Sequence, residues 1–250
     1  MLRDWEKELR NRVSWIREYV GESGIIFGNS GGKDSALVGI LCRRATEKVY
    51  GVIMPCQSAQ NFGKDREHAL LLAKKYNILT LEIDLSEVKA AFLGAISPEL
   101  GTKVKNESSL EKAQLNVNPR LRMMTLYTLG QAYGCLVVGT GNRSEKTMGY
   151  FTKWGDGACD FNPIGDLTVT EIYEFLEFLG APREIIEKAP SAGLFDGQTD
   201  ESEMGITYAE IDEYLLWNKG TPENKEKIEK AKNMAAHKTQ VFYFHENDRK

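Results

Sequence analysis

Ser30, Lys33, Asp34 and Ser35 stand close together, threaded through Gly28, Gly31 and Gly32 with Asn29 between them. The run reads GNSGGKDS over residues 28–35. An apolar triplet, Ile25, Ile26 and Phe27, precedes it, and Ala36, Leu37, Ile40 and Leu41 follow at helical spacing. Strand, glycine loop, helix is the order this predicts. It gathers backbone N–H groups, hydroxyls and a lysine at a positively polarised helix start, which is a place for phosphate. The glycines let the backbone approach the anion without a Cβ in the way. The run is not a Walker A loop: Phe27 stands where that motif needs its first glycine, and Asp34 follows Lys33. A carboxylate beside a phosphate repels it unless a cation lies between them, so Asp34 points to Mg²⁺. An ordinary glycine turn opening a helix is the plainer alternative, and the density of the pattern weighs against it.

A second dense stretch spans residues 139–168, GTGNRSEKTMGYFTKWGDGACDFNPIGDLT. It is glycine-rich, lacks clear periodicity, and mixes Lys, Asp and Glu with Tyr150, Phe151, Trp154 and Phe161. Long aperiodic stretches inside a compact chain are usually functional. Arg120 and Arg122 open a helix expected over 116–133, with Pro119 in its first turn. A cation is locally disfavoured there by the helix dipole, which hints at a neutralising anion. His68 lies within a helical pattern and reads as a solvated or capping histidine.

The elements that must position these groups follow from periodicity. Residues 2–20 form an amphipathic helix through Leu2, Trp5, Leu9, Val13, Ile16 and Val20. Strands are expected at 49–54, 78–83 and 135–139, and helices at 64–76 and 86–95. The alternation implies an α/β fold: a single doubly wound parallel sheet with helices on both faces. Ligands of such sheets bind beyond the carboxyl ends of the strands, where the glycine loop lies. Residues 97–116 are polar and irregular, either a loop near the site or an exposed connection. Residues 167–179 form an amphipathic helix. Residues 191–206 are small, acidic and glycine-containing, read as a lid or as a plain connecting loop. Helices over 208–217 and 223–235 come last, with His237 and Lys238 after them.

Bulk composition excludes several classes. The 250 residues suit one domain, 1–250, with no room for an added glutaminase domain. A net charge of −4 without basic blocks argues against nucleic acid. No apolar run approaches the ~20 residues of a membrane span. The charged N-terminus lacks the apolar core of a signal peptide. Cys42, Cys56, Cys135 and Cys159 are too scattered for zinc, and they fit reduced thiols in a cytoplasmic protein.

SGGKDS at residues 30–35 resembles the pyrophosphate loop of the ATP pyrophosphatase (PP-loop) superfamily, whose fold is adenine nucleotide alpha hydrolase-like. Other runs choose the member: NPRLRM at 118–123, GTGNRSE at 139–145, GYFTKWGDGACD at 149–160, LGAP at 179–182, KAPSAGL at 188–194 and DESEMGITYAEIDEYL at 200–215. Together they resemble the ammonia-dependent NAD synthetases over most of the chain. The resemblance implies that ATP adenylates the nicotinate carboxylate of deamido-NAD, and that ammonia then displaces AMP to give NAD. It implies that Gly28, Asn29, Ser30, Gly31, Gly32, Lys33, Asp34 and Ser35, with Thr140 and Ser191, bind ATP. Asp34 and Glu145 match Mg²⁺ ligands, and these two with Lys33 are the candidate catalytic groups. Arg120, Lys153, Asp160, His237 and Lys238 match contacts to deamido-NAD. The family is homodimeric, with the dinucleotide bound partly between subunits. The chain departs from the family at Val169, where a lysine associated with ATP is usual; that contact falls to Lys188, Lys33 or another loop residue. Alternatives are another PP-loop adenylating enzyme, acting on tRNA, or a catalytically weakened nucleotide-binding homologue.

Overall fold

Ile25, Ile26 and Phe27 are all fully buried, yet they belong to two different cores. Successive strand residues point to opposite faces, so a strand apolar at every position must be covered on both sides. The computed structural model, which describes residues 2–56, 62–100, 104–188 and 200–240, has that arrangement. Strands β1 (Gly24–Gly28), β2 (Val49–Ile53), β3 (Leu79–Glu82) and β4 (Cys135–Val137) form one sheet in the order β3-β2-β1-β4. Every pairing is parallel, with Ile25 opposite Val49 and Leu136.

Helices α1 (Trp5–Val20), α2 (Lys33–Ala45) and α3 (Lys64–Tyr76) cover the face that Ile25 and Phe27 point to. Helices α4 (Ser86–Leu100), α5 (Glu107–Leu115) and α6 (Val117–Tyr133) follow β3, and α4 and α6 cover the face of Ile26, Val52 and Val137. The doubly wound expectation is met. After β4 come α7 (Arg143–Met148), α8 (Val169–Phe178), α9 (Arg183–Ile186), α10 (Asp200–Met204), α11 (Tyr208–Trp217) and α12 (Pro222–Thr239). Helix α8 joins the first face, where Phe175 stacks on Trp5 with ring centroids 4.8 Å apart. Arg12 ties α1 to the segment before α8 through Asp166, at 2.7 Å.

Several elements differ from the sequence expectation. The described residues of 97–116 are largely helical: α4 runs on to Leu100 with Pro98 inside it, and α5 is capped by Asn106, whose side chain accepts from the Ser109 N–H at 2.8 Å. The stretch 139–168 contains a short helix, α7. His237 and Lys238 lie within the last turns of α12 rather than beyond it. Of the segment read as a lid or connecting loop, residues 200–206 carry the short helix α10, with Asp200 and Ile206 buried and Ser202 and Glu203 exposed; residues 191–199 lie outside those described.

A buried carboxylate holds the second half of the molecule together. Asp212 on α11 accepts the Thr170 N–H and hydroxyl at 2.7 Å each, and also the Ser144 hydroxyl. One side chain therefore caps α8 and fastens α7 to it. Burial pushes its pKa up, and the hydrogen bonds from Ser144 and Thr170 oppose that. Asp212→Ala leaves these donors without an acceptor, at ~1–3 kcal/mol for a buried group. The expected result is a fall in Tm of at least ~2–4 °C for a chain of this length, read by thermal melting; an unchanged Tm would contradict it.

Candidate functional site

The sheet order reverses between β1 and β4: β1 leads to β2 on one side, while β4 lies on the other. The segments leaving the carboxyl ends of these two strands therefore meet at the topological switch point. One is the glycine loop and the other carries Thr140, Asn142 and Glu145.

The glycine loop is held open at its helix. Gly32 is the N-cap of α2, and no side chain caps it. Ser30 Oγ accepts from Gly32 N at 3.3 Å and lies 3.1 Å from Ser35 Oγ. Gly31 has φ +69°, and a Cβ there would lie 2.1 Å from the Asp65 carbonyl oxygen. Asn29 is turned away from the loop opening: it is buried and donates to the Ala69 carbonyl at 3.0 Å. Its side-chain NH2 braces α3, while its buried Oδ1 has no hydrogen-bond partner among the described residues.

Lys33 is buried in front of this loop. Its Nζ lies 2.7 Å from Asp34 Oδ2 and 5.5 Å from the ring centroid of Tyr208. Burial alone would lower its pKa, but Asp34 and then Glu145 outweigh that and hold it above its ordinary value. Glu145 shows the opposite balance. Desolvation of its carboxylate raises its pKa well above the carboxylate range, the Asp34 charge adds to the rise, and Lys33 opposes it. Asp34, Glu145 and Lys33 thus act on one another electrostatically.

Asn142 physically joins them. Its Nδ2 donates to Asp34 Oδ1 at 3.0 Å, and its Oδ1 accepts the Glu145 N–H at 2.9 Å. Its own N–H donates to Glu145 Oε2 at 3.1 Å, closing a capping box on α7. Two carboxylates beside a phosphate loop suit Mg²⁺, which takes one or two carboxylates and completes its shell with phosphate oxygens and water. Among the described residues no cluster of three or more His, Cys, Asp or Glu side chains could hold a metal alone.

Lys188 flanks the loop, with Nζ 2.7 Å from Asp65 Oδ1. Val169 does not face the loop: it is buried in a small core with Ile206, Tyr208, Ile211 and Ile228. Of the two cations named for the missing lysine, Lys33 is central and Lys188 lies beside Asp65 beneath Gly31. Ser191 lies outside the described residues.

The five residues matched to deamido-NAD fall into two groups. Arg120 and Asp160 line a groove of about 770 Å³ along α6, with Phe92, Met124 and Tyr127. Asp160 is held by the Val137 N–H at 2.8 Å and the Tyr127 hydroxyl at 3.3 Å. Burial and Asp160 push the Tyr127 pKa up to about 12. Lys153, His237 and Lys238 form the second group. Lys153 Nζ donates to the His237 carbonyl at 2.6 Å, and Lys238 Nζ to the carbonyls of Gly149 and Phe151 at 2.7 and 2.8 Å. These contacts cross-fasten α12 to the loop 149–156.

Sequence reasoning did not single out Asn142, Tyr208, Asp200, Asp156 or Asp65. Tyr208 donates to Asp200 at 3.0 Å, both being buried. Asp156 accepts from the Thr152 N–H at 2.9 Å. Desolvation of the carboxyl group raises its pKa although the residue keeps an exposed edge, and that hydrogen bond, Arg122 and Lys238 oppose the rise.

Fold and loop together define an α/β protein with a glycine loop, of a kind that suits phosphate, at the switch point of a parallel sheet. A family model described as NAD synthase matches residues 8–247, and the chain belongs to that family. It is 43% identical to the NH(3)-dependent NAD(+) synthetase of Carboxydothermus hydrogenoformans, over 95% of this chain and 96% of that one. Among solved structures it resembles an NMN synthetase from Francisella tularensis, with a TM-score of 0.88, 34% identity, and 98% and 99% of the two chains covered. It also resembles an NH3-dependent NAD synthetase from Campylobacter jejuni, with a TM-score of 0.76, 31% identity, and 98% and 100% covered.

Proposed function

We propose that this protein is an ammonia-dependent NAD synthetase, a ligase that amidates deamido-NAD with ATP and ammonia. The observation that carries the reading is the meeting of Lys33, Asp34 and Glu145 before a glycine phosphate loop, in a chain of the NAD synthase family. The nicotinate carboxylate attacks the α-phosphorus of ATP, and the bond to the departing pyrophosphate breaks. Ammonia then attacks the acyl carbon of the adenylate, the bond to AMP breaks, and a proton leaves the nitrogen.

Lys33 and the N–H groups at the start of α2 draw the triphosphate in and stabilise charge on the leaving pyrophosphate. Asp34 and Glu145 are the proposed ligands of Mg²⁺, which when bound screens the repulsion between a carboxylate nucleophile and a triphosphate. The Tyr208 ring holds Lys33 against the loop. Arg120 and Asp160 on one side, and Lys153, His237 and Lys238 on the other, are the proposed contacts to the dinucleotide. A homodimer fits this division. Helix α6 and its neighbour α4 expose Met124, Phe92 and Val88 beside the Arg120–Asp160 groove, an apolar face for a second copy. We place the protein in the cytoplasm, in keeping with four free thiols and with no described helix long and apolar enough to cross a membrane.

Incubation with ATP, Mg²⁺, deamido-NAD and ammonium chloride should yield NAD and AMP in equal amounts. Deamido-NAD that stays unconverted under all conditions would end the reading. A second reading has its own support: the Francisella structure, named as an NMN synthetase, has the higher TM-score of the two solved structures. On that reading the acid amidated is nicotinate mononucleotide. The 43% identity to a named NAD synthetase favours the dinucleotide. Comparing kcat/KM for the two acids decides between them.

A further inference from the structure

We propose that Asn142 is a positioning residue that sets the two acidic metal ligands at their working separation. The inference rests on the assignment of Asp34 and Glu145 as ligands, made above. It deepens that assignment, because the two acids come from helices far apart in sequence and share no covalent frame. Asn142 is 108 positions from Asp34 and is wholly buried between them.

Three of its four polar groups are used in this junction, and the fourth, the backbone carbonyl, accepts from Lys146 N within α7. The side-chain amide donates to Asp34 Oδ1, the side-chain carbonyl accepts from Glu145 N, and the backbone N–H donates to Glu145 Oε2. The other Asp34 oxygen is held by Lys33. Each acid thus has one oxygen fixed through Asn142. Without the amide donor, Asp34 keeps, among the described residues, only the hydrogen bond from Lys33. The carboxylate is then free to follow that ammonium away from Glu145, and a shared cation loses one anchor.

The capping and donating roles separate chemically. Asp and Ser both serve as helix N-caps, so Asn142→Asp and Asn142→Ser keep the acceptor that α7 needs. Aspartate cannot donate to Asp34 when ionised, and serine is too short to reach it. Loss of an outer-sphere hydrogen bond to a metal ligand commonly weakens metal binding ~10–100-fold.

The test is Mn²⁺ binding to the full chain with a non-hydrolysable ATP analogue present, followed by electron paramagnetic resonance, alongside the Mg²⁺ dependence of turnover. In both variants the Mn²⁺ dissociation constant and the Mg²⁺ concentration for half-maximal rate should rise at least ~10-fold. Melting temperature and kcat at saturating Mg²⁺ should change much less. Wild-type metal affinity in both variants would overturn the proposal. So would a loss of affinity that tracks a loss of thermal stability, which would leave Asn142 only a helix cap. If the wild type itself binds no Mn²⁺ with the analogue, the ligand assignment fails instead.

Discussion

Asp34→Asn should lower the rate of NAD formation by at least ~100-fold while the fold stays intact, since removal of one transition-state stabiliser commonly costs that much. The substitution keeps the volume of the side chain and an oxygen that can still accept from Asn142. What it removes is charge. Lys33 is buried and loses an ion pair of 2.7 Å, leaving Glu145 as its nearest anion. The cation ligand beside the phosphates becomes a neutral amide, a far weaker partner for Mg²⁺. Neither loss touches the core: Asp34 lies at the first turn of α2, where its oxygens meet only Lys33 and Asn142. The rate should therefore fall while the melting curve stays close to wild type. Steady-state kinetics at saturating ATP and deamido-NAD, with differential scanning calorimetry alongside, would check it. Turnover near the wild-type value would remove Asp34 from the metal site.

The glycine loop is legible in the sequence because everything that makes it is local. An apolar triplet, three glycines and the onset of helical spacing lie within about one strand and two helical turns. The same holds for the parallel sheet, since each strand is a short apolar run between helical patterns. Legibility fails where a structure is short or its cause distant. Helix α7 has six residues, too few for a 3.6-residue period to show, so its stretch reads as loop. A local signal is nonetheless there: Asn142 followed three places later by Glu145 is a capping-box pattern. Helix α5 buries none of its residues, and its sequence therefore carries no apolar stripe.

The end of α12 has a different cause. The apolar pattern stops near Ala235, but the helix continues to Thr239. Lys153 donates to the His237 carbonyl there, and a lysine near the last carbonyls of a helix satisfies groups that would otherwise face solvent. The donor lies 84 positions away, so no reading of the local sequence can find it. Asn29 fails in the other direction. Its backbone lies in the motif, while its side-chain NH2 goes to the Ala69 carbonyl of α3. Motif membership establishes where the backbone runs, and tertiary packing decides which way each side chain turns.

Gly31→Ala tests the loop by geometry alone, without removing any polar group. The added methyl would lie 2.1 Å from the Asp65 carbonyl oxygen and 3.0 Å from the Ala69 nitrogen, both backbone atoms of α3. Neither can swing aside as a side chain could. The residue also sits at φ +69°, which costs an L-residue roughly 1–2 kcal/mol. Overpacking a close contact adds about 1–3 kcal/mol. The sum, ~2–5 kcal/mol, must appear somewhere. If the loop keeps its shape, the strain lowers Tm by ~4–20 °C, taking ~2–4 °C per kcal/mol at this chain length. If the loop relaxes away from α3, the N–H groups at the start of α2 lose their aim, and the KM for ATP rises instead. Asp65 lies directly beneath and is paired with Lys188, so a displaced loop also shifts the cation on its flank. Thermal melting and ATP titration on the same preparation should together account for the strain. A variant with wild-type Tm and wild-type KM for ATP would mean that the loop does not adopt this close approach, and the phosphate cradle drawn from it would have to be abandoned.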